Sequence, residues 1–176
     1  MEKLIKTEVK ETITYLASDG KKFVSEYDCK EYEDFSIANR DFEELYEKLG
    51  CEDSEFGYRN IDCYTYPIKL IYSKENEDDI LKLYKILLKY LYEGKGELND
   101  VKLLYQRVNV DAVNNNIFKE ALCEEGKPVL IIQWRNGGDD YNYPSDETYI
   151  ITPRKKINDY KEELYGLFDI DLTKEM

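Results

Sequence analysis

Histidine is absent from this sequence, and cysteine is scarce. Imidazole is the general base of Ser–His–Asp and Cys–His catalysis and a common metal ligand, so both catalytic classes and every imidazole metal site are excluded. The cysteines are Cys29, Cys51, Cys63 and Cys123. No two of them have the C-x-x-C spacing of zinc sites, which predicts free buried thiols in a reducing compartment. Because Walker and Rossmann glycine patterns are also missing, we predict neither a metal site nor a cofactor.

Long hydrophobic runs are missing as well. Residues 1–10 contain no apolar stretch, which predicts that the chain carries no signal peptide. The most apolar stretch, residues 80–92, is shorter than a membrane span and contains three lysines. We therefore expect a cytoplasmic protein that does not insert into a membrane.

Positive charge is in deficit. The chain has 38 acidic and 25 basic side chains, which give a formal net charge of −13. Such a balance repels nucleic acid and anionic lipid, so direct non-specific nucleic-acid binding is not expected. If the charge serves recognition, it favours a cationic partner. The oligomeric state does not follow from the sequence.

The apolar pattern predicts an α+β fold. The 176 residues fit a single domain over 1–176, with a possible subdomain boundary in a polar loop at 51–61. The order of elements is not a regular βαβ alternation, which favours a mostly antiparallel sheet of about four to five strands packed against helices. Strands are expected at 7–16, 64–72, 128–134 and 147–152. The pattern at 101–110 is ambiguous between helix and strand, and we favour a strand. Helices are expected at 26–33, 40–49, 77–93, 112–124 and from 153 onward.

Capping residues and a proline sharpen several boundaries. Ser25, Asn76 and Thr152 precede predicted helices as N-caps, and Pro153 suits the first position of the last helix. Gly50 ends the helix at 40–49 in the usual position after its C-terminus. Pro67 lacks an N–H, so its strand is expected at a sheet edge or to begin after the proline.

Two helices have predicted packing roles. The helix at 77–93 is apolar around most of its circumference, with lysines in a narrow stripe, which predicts a central position in the fold. The last helix is expected to pack through Ile157, Tyr160 and Leu164 and to end at Gly166.

Acidic residues concentrate in one segment. Residues 26–55 contain twelve acids and three bases. On a helix, side chains three and four positions apart lie about 5–6 Å apart. This spacing is near the roughly 7 Å that separates alternate phosphates along a nucleic-acid strand. The segment therefore predicts a nucleic-acid-mimicking face for a basic protein groove, and a merely solvated face of two amphipathic helices is the alternative.

Tyrosines lie among these acids and add to the predicted contact surface. Tyrosine occurs 17 times in the chain, and it offers large contact area at low entropic cost. Filling the edges of the core is the alternative role. The candidate partner-binding residues are Glu26, Tyr27, Asp28, Glu31, Tyr32, Glu33, Asp34, Asp41, Glu43, Glu44, Tyr46 and Glu47.

Other charged patterns are less specific. Several acid-x-Lys triplets, such as Asp28-Cys29-Lys30, resemble pieces of Mg²⁺-dependent nuclease sites, but a chain this charged produces them by chance. The loop 136–147 has oxygen ligands suited to a cation, but it does not match the EF-hand pattern, and we favour a plain hairpin loop. Arg154, Lys155 and Lys156 lie at a predicted helix N-terminus, where cations are disfavoured. They indicate either an anion site or pairing with nearby acids.

The segment ITYLASDGKKFVSEYDCKEYE, residues 13–33, resembles small phage and mobile-element proteins of low-GC Gram-positive bacteria. The matching features are a strand followed by Asp19-Gly20-Lys21, then Phe23, Ser25-Glu26, Cys29 and Tyr32-Glu33. The resemblance implies an accessory protein of a bacterial host cytoplasm. Phage proteins of this kind often inhibit host defence, and anti-CRISPR proteins are one such group.

These observations favour a binding protein over an enzyme. The leading hypothesis is an acidic inhibitor that blocks a basic nucleic-acid-binding host protein, such as a CRISPR effector. The alternative is a carboxylate-based, metal-dependent nuclease or nucleotide hydrolase. A host protein with a partner of another kind is the third possibility.

Overall fold

The computed structural model describes residues 13–54, 63–93, 102–106, 110–136 and 145–167. Within these ranges the chain is an α+β protein with four α-helices and antiparallel strands, as predicted. The chain divides into two compact units, Met1–Ala38 and Asn39–Met176. No helix in the described part has the length and apolarity that crossing a membrane requires.

The first unit contains a small hairpin followed by the start of a long helix. Strands β1 (Tyr15–Leu16) and β2 (Lys22–Phe23) pair antiparallel. The turn between them uses Gly20 at φ 88°, a conformation that glycine adopts readily. Residues 13 and 14 precede the strand, and residues 7–12 of the predicted strand lie outside the described ranges.

Helix α1 (Glu26–Lys48) is continuous, so the prediction of two helices at 26–33 and 40–49 is wrong. The residues between them include neither glycine nor proline. The Ser36 hydroxyl donates a hydrogen bond of 2.8 Å to the Tyr32 carbonyl, which accommodates this polar residue inside a helix. The predicted N-cap is confirmed, because the Asp28 N–H donates to Ser25 Oγ at 3.3 Å.

The end of α1 is also as predicted. Gly50 adopts φ 61°, and its N–H donates to the Glu47 carbonyl at 3.0 Å. The Cys51 N–H donates to the Tyr46 carbonyl at 2.9 Å. These two bonds form a Schellman motif, which satisfies carbonyls that the helix end leaves free.

A four-stranded antiparallel sheet is the main β-structure of the second unit. Its strands are β3 (Glu52–Asp53), β4 (Cys63–Ile71), β7 (Pro128–Asn136) and β8 (Ser145–Ile151), in the order β3-β4-β7-β8. Strand β7 lies inside the sheet and pairs with β8, and the strands predicted at 128–134 and 147–152 are confirmed. The loop predicted at 51–61 contains β3, and its residues from 55 onward lie outside the described ranges.

Pro67 lies within β4, so the strand neither begins after the proline nor lies at the sheet edge. The Pro67 carbonyl accepts from the Ser54 N–H at 3.0 Å, on the side of β3. Because N–H and C=O of one strand residue point the same way, the missing N–H faces away from β7. It cannot return a bond to Ser54, which explains why β3 ends at Asp53.

Helix α2 (Glu77–Lys89) is shorter than the predicted helix at 77–93, because the chain continues as strand β5 (Tyr90–Glu93). A 3₁₀ turn, Lys74–Asn76, precedes α2, and Ser73 forms a capping box with Asn76. Asn76 therefore belongs to that turn and does not cap α2 through its side chain. The central position of this helix stays a prediction. Its buried residues are Ile80, Leu81, Leu83, Tyr84 and Leu87.

The remaining elements refine the sequence prediction. Strand β6 (Lys102–Gln106) pairs with β5 in a two-stranded sheet, which confirms the strand interpretation of 101–110 over those residues. Helix α3 (Asn116–Glu120) is much shorter than the helix expected at 112–124. The Asn114 side chain accepts from the Asn116 N–H at 2.9 Å, and this local turn replaces the predicted first turns of the helix.

Helix α4 (Pro153–Leu167) begins as predicted, since the Lys155 N–H donates to the Thr152 hydroxyl at 3.1 Å. The helix continues through Gly166. Its predicted packing face is wrong, because Ile157 is 56% exposed and Tyr160 is 64% exposed. The buried Thr152, whose hydroxyl donates to the Ala121 carbonyl at 2.7 Å, anchors the first turn instead. The side chain of Leu164 lies outside the described part.

One polar side chain joins α2 to the sheet. Gln133 of β7 is 1% exposed, and its amide nitrogen donates to the carbonyls of Leu87 and Tyr90, the latter at 2.8 Å. Its amide oxygen accepts from the Tyr92 N–H at 2.7 Å. The amide thus satisfies three backbone groups where the helix becomes β5.

We predict that Gln133→Leu lowers the free energy of unfolding by about 3 kcal/mol or more, because it leaves these backbone groups buried without the amide. Urea unfolding, followed by circular dichroism, measures the change. The control is Glu147→Gln on the neighbouring strand, where the side chain is exposed and a change within about 0.5 kcal/mol is expected. Equal midpoints for the two variants would contradict the role given to Gln133.

Candidate functional site

The acids in the first part of α1 have local structural roles. Glu26 and Asp28 lie in the first turn, where the helix macrodipole favours negative charge. Glu26 also forms an ion pair of 2.6 Å with Lys30. The hydrogen bond from Lys30 holds the pKa of the Glu26 carboxyl below its ordinary value. Asp34 is exposed in the next turns.

The tyrosines of the first unit also take part in internal contacts. Tyr27 is 67% exposed, and its hydroxyl donates to Glu31, which raises the pKa of the phenol. Tyr32 donates to Asp19 at 2.6 Å. Glu33 accepts a hydrogen bond of 2.8 Å from the Ser18 N–H. Tyr32 and Glu33 therefore hold the hairpin against α1, whereas Tyr27 and Glu31 remain on the surface.

The acids near the end of α1 have a different environment. Glu43, Glu44 and Glu47, which we call the glutamate triad, are all exposed. Glu43 and Glu44 are adjacent, and Glu47 follows them by four and three residues. Arg40 lies 3.1 Å from Asp41 and 3.9 Å from Glu44.

The last cation of α1, Lys48, pairs with a residue of another helix. The Lys48 ammonium lies 2.6 Å from Asp79 of α2. Among the residues that the structure describes, Glu43 and Glu47 consequently have no cation within ion-pair distance. Two of the three triad carboxylates are thus left without a cation by the described side chains around them.

The position of the triad is unfavourable for the helix. Glu43 and Glu47 are like charges four residues apart, and such pairs cost a few tenths of a kcal/mol. Glu47 also lies in the last turn, where the macrodipole disfavours an anion. Helix stability alone therefore explains the acids at the start of α1 but does not explain the triad.

Tyr46 is not part of this surface, so its predicted role as a partner contact is corrected. It is 8% exposed, and its ring packs 5.7 Å from the Phe42 ring. The Tyr46 hydroxyl donates to Asp53 Oδ1 at 2.9 Å, and the Tyr92 hydroxyl donates to the same oxygen. Burial, together with these bonds, raises the pKa of both phenols. Tyr46 thus fixes the second half of α1 against β3 and β5.

Metal and thiol chemistry find little support in the described side chains. In that part of the chain, no group of three or more acids or cysteines comes together that could hold a metal ion. Cys29, Cys51 and Cys123 are free thiols; Cys29 is buried as predicted, whereas Cys51 and Cys123 are partly exposed. Burial raises the pKa of Cys51 to about 12 and that of Cys123 to about 11, which keeps both thiols protonated. Most of the loop 136–147 lies outside the described ranges, and the nuclease alternative stays a prediction.

The sequence did not single out Lys69, or Lys156 apart from its two cationic neighbours, yet both line a groove on the four-stranded sheet. The register of β4 and β8 against β7 brings the groove together. The nearly continuous apolar run of β7 does not distinguish the two sides of the sheet, so the sequence carried no information about what covers each side.

We predict that Glu43→Gln with Glu47→Gln raises the free energy of unfolding by roughly 0.5 kcal/mol at low salt, because a like-charge pair and an unfavourable dipole interaction are removed. The matched control is Glu26→Gln with Asp28→Asn, which removes the same charge from the favourable end and should lower stability. Urea unfolding in low salt and in ~0.5 M NaCl measures the stability of each double variant. Salt should reduce the change in both variants, because it screens the charges. Changes of the same sign in the two variants would contradict the asymmetry.

The comparisons with known proteins gave no match: no family model, no curated protein and no solved structure is similar to this chain. The resemblance of residues 13–33 to phage and mobile-element proteins stays a prediction.

Proposed function

We propose that this chain is a binding protein that presents acidic residues of α1 to a basic surface of another protein. The observation that carries the proposal is the glutamate triad, which is exposed, contains a like-charge pair and an acid in the last turn of the helix, and is left largely without cations by the described part of the chain. Proteins commonly give up stability at sites that serve function. A cationic partner would relieve the repulsion within the triad on binding.

The class of partner follows from the charge and its spacing. A surface with net charge −13 attracts basic proteins over a Debye length and accelerates their encounter. Carboxylates about 5–6 Å apart along a helix are near the spacing of alternate phosphates on a strand, so they suit a groove that binds nucleic acid. We infer that the partner is a basic nucleic-acid-binding protein, and that occupation of its groove excludes nucleic acid.

The resemblance of residues 13–33 supports a more specific version. It favours a phage or mobile element as the source and a bacterial host protein as the target, with a CRISPR effector as one candidate. In this version the chain is an inhibitor of host defence.

The first experiment identifies the partner. The tagged full chain is used to capture proteins from a lysate of a low-GC Gram-positive bacterium, with and without ~0.5 M NaCl, and mass spectrometry reads the captured proteins. We expect recovery of a basic nucleic-acid-handling protein at low salt and its loss at high salt, because exposed charges are screened. Recovery that is equal at both salt concentrations would contradict an electrostatic interface.

The second experiment tests the triad with the recovered partner. Glu43→Lys, Glu44→Lys and Glu47→Lys together should weaken binding roughly 100-fold and flatten its salt dependence. The matched control reverses three exposed acids elsewhere, Glu120, Glu162 and Glu163, with the same change in net charge. It should weaken binding only slightly, through the long-range field.

The outcomes separate the parts of the proposal. Equal losses for the two triple variants would leave only a net-charge effect and remove the triad as the site. Inhibition is tested by titrating the chain into the partner's complex with labelled nucleic acid. Displacement of the nucleic acid supports an inhibitor, whereas a stable ternary complex would contradict it.

A further inference from the structure

The four-stranded sheet has a second face that differs from the one against α2. Gln133 contacts α2, so the residues that alternate with it along β7 point to the opposite side. Leu130 is one of these, and its register partners are Lys69 of β4 and Ile151 of β8. The three side chains therefore share the opposite face.

A groove of about 370 Å³ lies on this face, beside the first turn of α4. Its apolar lining includes Pro128, Leu130, Ile151 and Pro153. Ligand sites in proteins are typically concave, largely apolar and of about 300–1,000 Å³, with a few polar groups that fix orientation. The size and the lining place this groove at the small end of that range.

The charge of the groove is opposite to that of the chain. Its charged lining residues among the described side chains are Lys69 and Lys156, and no carboxylate is among them. The whole chain has 38 acids and 25 bases, so a lining with two cations and no acid runs against its composition. Lys69 is 3.4 Å from Glu52, which lies on β3 outside the lining.

The first turn of α4 has a further imbalance. It carries three successive cations at the end of the helix where the macrodipole disfavours them. Arg154 lies 3.1 Å from Glu124, and Lys155 lies 3.2 Å from Asp159. Lys156, which lines the groove, has no carboxylate within ion-pair distance in the part of the chain described. The pairing predicted from the sequence thus accounts for two cations and leaves the third for another anion.

We propose that this groove binds a small apolar carboxylate. The hydrocarbon part lies on Leu130 and Ile151, and the carboxylate accepts from the Lys156 ammonium, with Lys69 on the opposite rim. Burial of the hydrocarbon provides affinity, and the two ammonium groups determine the sign of the ligand's charge. This site is separate from the glutamate triad, and the proposal does not depend on the proposed partner.

The test uses the full chain and three probes with the same ten-carbon chain, each below its micelle concentration. Isothermal titration calorimetry compares decanoate with neutral decanol and cationic decyltrimethylammonium. We expect saturable one-to-one binding of decanoate, roughly threefold to fivefold tighter than decanol, as for a partly exposed ion pair. The net charge of −13 favours the cation everywhere else on the surface, so a preference for the anion reports the groove.

Variants locate the binding. Lys156→Gln and Lys69→Gln should each reduce decanoate affinity towards that of decanol and leave decanol binding unchanged. The matched control is Lys155→Gln, which removes the same charge from the next residue, a lysine paired with Asp159 outside the groove. It should retain most of the preference. All three lysines have partly or fully exposed side chains, so the variants should keep the fold, which circular dichroism checks.

Three results would overturn the proposal. The first is a lack of saturable decanoate binding to the unaltered chain. The second is equal affinity for decanoate and decanol, which would remove the role of the lysines. The third is an equal loss in the Lys155 and Lys156 variants, which would reduce the effect to net charge.

Discussion

The amide of Gln133 occupies the point where a helix turns directly into a strand. Helix ends leave carbonyls without intrahelical partners, and a buried end needs other donors. Gln133 gives both of its amide protons to such carbonyls and accepts the N–H of Tyr92 two residues further on. Because one side chain from β7 satisfies both sides of the junction, α2 needs no loop before β5. The pairing of β5 with β6 and the packing of α2 on the sheet both follow from this junction.

The acids of α1 show that composition does not determine whether a charged side chain stabilises or destabilises its helix. At the start of the helix, Glu26 has a lysine beside it and the dipole in its favour. Near the end, Glu43 and Glu47 repel each other, while the nearest lysine of the helix is turned to Asp79. The sequence alone does not distinguish the acids at the start of α1 from those near its end. Their different cost to the fold is the reason that only the second group supports a binding role.

Capping residues, glycines and short apolar runs in the sequence predicted those elements that depend mainly on residues close in the chain. The caps at Ser25 and Thr152, the glycine at 50, the strand pair β7–β8 and the α+β class were all predictable, because each depends on near neighbours. The end of α2 depends on Gln133, which is more than forty residues away, and the burial of Tyr46 depends on Asp53 and Tyr92. The groove required the register of three strands. Such long-range contacts leave no periodic pattern, so the sequence did not predict them.

Pro67 has a consequence for how the protein behaves at high concentration. Unpaired strand edges are templates for pairing with other chains, and natural proteins blunt them with short strands, charges and proline. The open side of β4 combines all three: β3 is two acidic residues long, and the proline beside it offers no donor for a longer partner. An incoming strand would lose a ladder bond at that point and meet two carboxylates. Within the described residues, this side of the sheet therefore disfavours edge-to-edge pairing with another chain.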